Sequence, residues 1–110
     1  MKKRFLLLLC SSACAFAQTA DDTAAAFAKE REVLAAQRQL VLDAFEERSQ
    51  ACWQKFAVNN CIIQARRTRR ADLEPIRQAE LAVNERERQW RTQQRNERLQ
   101  NKQAESAAKP

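Results

Sequence analysis

Cys52-Trp53-Gln54-Lys55-Phe56-Ala57-Val58-Asn59-Asn60-Cys61 is the stretch that decides the fold. Two cysteines bracket a short aromatic segment, and long helix-forming sequence flanks it on both sides. The stretch reads as the closed tip of a helical hairpin, stapled by a disulfide between Cys52 and Cys61. Asn59 tolerates the left-handed conformation that closes a helix, and Asn60 is a good N-cap for the next one. Trp53, Phe56 and Val58 are expected to pack over the disulfide. A closed loop of about ten residues stabilises by about 2.7 kcal/mol in the chain-entropy model. That is large beside the few kcal/mol available from a small core.

The compartment is read from the N-terminus. Met1-Lys2-Lys3-Arg4 is a basic start, Phe5 to Leu9 is apolar, and Ala15-Phe16-Ala17 is a small-x-small cleavage signal. This is the pattern of a secretory signal peptide over residues 1–17, with Gln18 as the first mature residue. A membrane anchor is excluded by length, since a span needs about 20 apolar residues. The alternative is lipoprotein processing at Cys14, behind Ser11-Ser12-Ala13. Cleavage after Ala17 removes Cys10 and Cys14 and leaves only Cys52 and Cys61, in a compartment where disulfides persist. The expected location is therefore exported, and periplasmic, with an outer-membrane lipoprotein as the alternative. A metal site needs about four Cys, His or carboxylate ligands, and the chain has no His. The Cys spacing is not that of a redox Cys-x-x-Cys pair.

After the signal the chain has no glycine, and no proline until Pro75. It is rich in Ala, Gln, Glu, Arg and Leu, which favour helix. A first helix is expected over about 20–55, capped by Thr19 or Asp21. Phe27, Leu34 and Val41 recur every seven residues, flanked by Val33, Leu40, Ala44 and Phe45, and continued by Cys52 and Phe56. Such a repeat is one stripe, and it reads as a packing face against another helix. With the tip at 56–60, a second helix is expected over about 61–103, on the series Ile62, Arg69, Ile76, Val83 and Trp90. Pro75 lacks an N–H and crowds the Ala71 carbonyl. It implies either a kink near residues 72–74 or two shorter helices meeting there. Residues 104–110 are expected to be disordered. The fold class is thus all-α: an antiparallel, coiled-coil-like hairpin closed by a disulfide at its tip and kinked near Pro75.

Two segments together carry a family resemblance. The pattern Cys52-Trp53-x-Lys55-Phe56-Ala57-Val58-Asn59-x-Cys61 is followed by an Arg-rich helix and Gln78-Ala79-Glu80-x-x-x-Asn84-Glu85-x-Glu87-Arg88. It resembles a group of small exported helical proteins of Gram-negative bacteria, over residues 52–88. The resemblance implies export and paired cysteines, and it brings no active site with it.

The formal charge of the full chain is +6, and removal of Lys2, Lys3 and Arg4 lowers it to +3. The first helix is net acidic, and the basic excess lies beyond Cys52, with Arg66, Arg67, Arg69 and Arg70 clustered. A turn centred between the cysteines would set Asp43 opposite Arg70, and Glu46 and Glu47 opposite Arg67. The cluster then helps fix the pairing register, because wrong alignments bring like charges together. Its other reading is a candidate anion-binding site at Arg66, Arg67, Arg69 and Arg70.

With no His, no Tyr and no Gly, the usual acid–base and triad arrangements and phosphate-cradling loops are missing. No catalytic residue, cofactor or small-molecule substrate is expected. The candidate interaction face is Phe27, Leu34, Val41, Ile62, Ile76 and Val83. Two classes of function remain. One is an exported interaction module that forms a homo-oligomer or binds another envelope protein. The other is a basic helix that binds anionic envelope components, a membrane surface or nucleic acid.

Overall fold

The computed structural model describes the backbone of residues 15–109 and the side chains of residues 20–109. The signal-peptide reading therefore lies outside the described residues, apart from the backbone of residues 15–17, and so does the lipidation alternative at Cys14. The described residues are all-α: two helices, α1 (Ala15–Cys52) and α2 (Val58–Ala108), run antiparallel and are joined by a short turn. At 1.5 Å per residue they are about 57 and 76 Å long. No glycine interrupts them, so the uniform helix propensity of both arms is what carries them this far.

The boundaries differ from expectation at every end. α1 begins at Ala15, so the anticipated caps Thr19 and Asp21 lie inside it. It ends at Cys52, three residues before the expected end at residue 55. The turn is wound down by Trp53 N–H to Gln50 O (3.2 Å), Gln54 N–H to Ala51 O (3.2 Å) and Lys55 N–H to Cys52 O (3.1 Å). These tighter i→i+3 bonds satisfy the last carbonyls of α1. α2 starts at Val58, so Asn59 and Asn60 sit in its first turn and neither caps it. Ala57 holds the cap position with no side-chain bond. α2 also runs through residues 104–108, where disorder was expected. Ala104, Glu105 and Ala107 are compatible with helix, and nothing in the segment breaks it.

Pro75 lies within α2. The helix continues through it, so two separate helices do not meet there. Its ring still removes one backbone donor from the ladder.

The core is a single seam between the helices. Leu34, Ile76 and Val83 are buried, and Phe27, Val41, Leu73 and Ala79 pack around them. Ala65 and Cys52 extend the seam toward the tip. The side chains that turn inward on α1 include Phe27, Leu34, Arg38, Val41, Phe45 and Cys52. They form two interleaved seven-residue series, Phe27–Leu34–Val41 and Arg38–Phe45–Cys52, so the stripe keeps the heptad of a coiled-coil-like pairing. Val33 and Leu40 each stand one residue before a seam position, are turned about 100° away from it and lie on the outside.

Candidate functional site

The Cys52–Cys61 disulfide closes the tip, with the two Cα atoms 5.5 Å apart. Cys52 is buried, against Ala65 and the first turns of α2. The tip aromatics do not cover it. Trp53 is 71 % exposed and Phe56 fully exposed, while Val58 is half-buried. Trp53 directly follows Cys52, and one residue of a helical turn swings a side chain by about 100°. Phe56 stands at the apex with no chain beyond it. Packing of these two rings over the sulfurs was the expectation; the short turn prevents it.

The candidate interaction face is the seam itself. Phe27, Leu34, Val41, Ile76 and Val83 meet one another across the hairpin, and Ile62 lines a groove near the tip. The two stripes that looked like docking surfaces close on each other within one chain. Phe27 and Trp90 finish the seam at the far end, with ring centroids 6.0 Å apart.

Polar contacts fix the register along both edges. On one edge Arg38 donates to Glu80 through Nε (3.1 Å) and Nη2 (2.5 Å), and Arg31 donates to Glu87 and to Asn84 Oδ1. On the other edge Arg86 pairs with Glu30 at 2.5 Å and Arg48 with Asp72 at 3.9 Å. Hydrogen bonding from Arg38 holds the Glu80 carboxyl below the usual carboxylate range. Arg88, followed by Gln89, does the same to Glu85 within α2. Glu87 is the one buried acid among the described residues, and Arg91 bonds its second oxygen. Sequence reasoning passed over it, although it sits four residues after Val83 and three before Trp90, on the seam stripe. An acid at that position signals a partner, because a carboxylate is rarely buried unpaired.

This register corrects the tip-centred alignment. Arg38 meets Glu80, whereas a turn centred between the cysteines puts residue 38 opposite 75–76, about one turn away. Side chains tilt toward the N-terminus of their own helix. On α1 that is away from the tip and on α2 toward it, so each residue meets a partner further along than backbone levels suggest. Asp43 consequently bonds Gln39 on its own helix, and neither Glu46 nor Glu47 pairs with Arg67.

The arginine cluster is divided by this geometry. Arg69 is half-buried, with its guanidinium carbon 4.2 Å from the centroid of the Phe45 ring. Such stacking explains how an arginine fits a seam position. Arg66, Arg67 and Arg70 are exposed and have no ion-pair partner among the described residues. Arg66 borders the groove formed by Phe45, Ser49, Trp53 and Ile62, in which Ser49 Oγ is buried without a hydrogen-bond partner.

The grooves along this rod are open troughs on the helix surfaces. Among the described residues, no group of three or more His, Cys, Asp or Glu is arranged to hold a metal ion. No described helix is long and apolar enough to cross a membrane. Compared with family models, curated proteins and solved structures, the chain matches none.

Proposed function

We propose that this is an exported, non-enzymatic hairpin that works by apolar association with another protein chain. Export rests on the N-terminal signal pattern, on a cysteine pair suited to an oxidising compartment, and on the resemblance to small exported helical proteins. The observation that carries the association is the apolar surface left over once the seam is closed. Val33 stays 50 % exposed and Leu40 69 % exposed on the same side of α1. A two-helix layer has no further element of its own to cover them. The sequence has no His and no Tyr, so the usual acid–base and triad arrangements are missing, which supports a binding role.

A second reading is favoured by one observation. Arg66, Arg67 and Arg70 lack the carboxylate partners that a register role would give them, so they remain free for anionic polymers or a membrane surface. A photoreactive residue placed at position 40 or at position 67 in exporting cells separates the two. Protein adducts at position 40 support the association. Adducts confined to position 67, to nucleic acid or lipid, support the anion reading, and silence at position 40 removes the first proposal.

A further inference from the structure

The two broad faces of the hairpin are chemically different. One carries Phe45, Ser49, Trp53 and Arg66 around the tip groove. It also holds the Arg38–Glu80 and Arg31–Glu87 pairs, and Arg70 projects beside it. The opposite face carries Ala51, Lys55, Gln64 and Thr68 at the tip end, beside the Arg48–Asp72 and Arg86–Glu30 pairs. Along this second face α1 turns outward Val33 and Leu40, with Ala44 half-buried beside them, and α2 turns outward Ala71, Pro75 and Ala82. Its centre is therefore apolar, flat and made largely of small side chains.

The charges around that centre have a definite order. Lys29 and Glu47 stand 18 residues apart, five full helical turns, and so project from the same side of α1. Asp22 lies beyond Lys29, and Lys55 lies beyond Glu47. All four are exposed and without an ion-pair partner among the described residues. Both pairs, 29 with 47 and 22 with 55, are centred on the same turn of α1, next to Leu40. Reading along α1 and on into the turn that holds Lys55 gives minus, plus, centre, minus, plus. That order is self-complementary when a second copy is laid across it in the opposite direction.

We propose that the occupant of this face is a second copy of this chain. The two copies stack face to face as an antiparallel four-helix bundle, about a two-fold axis at the Leu40 turn. This rests on the proposed function and names its partner. Each Lys29 then meets the partner's Glu47, each Asp22 meets the partner's Lys55, and Leu40 packs near its own copy at the axis. On α2 the same axis sets Pro75 near the partner's Ala82, and Gln64 near the partner's Gln93. On the other face the same axis would set exposed Arg66 level with the partner's Arg91, a like-charge contact. The area is sufficient. A face about 50 Å long and two helices wide offers roughly 1,000 Å² per copy, within the range of stable interfaces.

The test is sedimentation and light scattering on the full chain expressed with its leader and purified in oxidised form. The variants are Leu40→Asp, Lys29→Glu, Glu47→Lys and the Lys29→Glu/Glu47→Lys pair. Their helicity, read by circular dichroism, should match the parent, since all three positions are exposed. The parent should show the mass of two chains and Leu40→Asp that of one. Each single reversal should weaken dimerisation about tenfold, because it replaces attraction by repulsion at both symmetry-related contacts. The double reversal should restore it to near the parent. A one-chain parent, a dimer indifferent to Leu40→Asp, or a double variant no tighter than the singles overturns the proposal. If the parent is one chain while position 40 still forms adducts with a different protein in cells, only the self-pairing falls. If position 40 is also silent, the proposed function falls with it.

Discussion

Val83 has no exposed surface at all, while Leu81, two residues earlier on the same helix, is 52 % exposed. Truncating each to alanine should therefore have opposite consequences to those expected from side-chain size. Val83→Ala deletes two buried carbons, worth about 1.6 kcal/mol in transfer at roughly 0.8 kcal/mol per carbon. The vacated space between Leu34 and Ile76 adds a cavity cost, for a total of about 2–3 kcal/mol. A seam this thin contributes only a few kcal/mol overall, so the loss is a large fraction of the stability. Thermal unfolding followed at 222 nm should show Tm lowered by roughly 8–24 °C, at about 4–8 °C per kcal/mol for a chain of this size. Leu81→Ala removes more carbons from an exposed position and should change stability by less than about 0.5 kcal/mol. Equal small shifts in the two variants would mean that Val83 does not lie in a seam, and the pairing of α1 with α2 would have to be rebuilt.

Three further outcomes follow from the same geometry. Non-reducing peptide mapping should find Cys52 joined to Cys61 within one chain, and replacing both by serine should cost about 2.7 kcal/mol; free thiols or links between chains would contradict the tip. Pro75→Ala should raise both helicity and Tm, because an interior proline costs a helix about 3 kcal/mol. No gain would mean that the proline imposes no such cost where it stands. Glu80 gives a pH dependence. Hydrogen bonding from Arg38 lowers its folded pKa, so its contribution is present above the unfolded value and is lost as pH falls through the folded one. The acid side of a Tm–pH profile should be flatter in Glu80→Gln than in the parent, and identical profiles would remove the Arg38–Glu80 contact from the account.

The hairpin and its tip were legible in the sequence because each rests on local chemistry. The absence of glycine and the helix-forming composition give the arms, the seven-residue series gives the stripes, and the cysteine pair locates the reversal. What escaped is relational. Leu34 and Val83 were visible as apolar stripe residues, but a stripe does not say whether its partner is another helix of the same chain or another molecule. Glu87 was passed over as one charge among many, since its burial is decided by Arg31 on the other helix. The register was misplaced because side-chain tilt adds at both helices. Trp53 and Phe56 were assigned to packing on composition alone, when the length of the turn leaves them outside. The pattern of Asp22, Lys29, Glu47 and Lys55 acquires meaning only once the seam shows which residues remain free.

The central claim is that the protein acts through apolar association on the Leu40 face and not through its arginines. The most direct measurement is the light-scattering mass of the parent, of Leu40→Asp and of Arg66→Ala with Arg67→Ala, each in low and in high salt. Apolar association resists salt, whereas phosphate binding collapses with it. The account predicts a two-chain mass in both salts for the parent and the arginine variant, and a one-chain mass for Leu40→Asp. A parent that is one chain in both salts, and that binds a polyanion only in low salt and only with Arg66 and Arg67 intact, would contradict it.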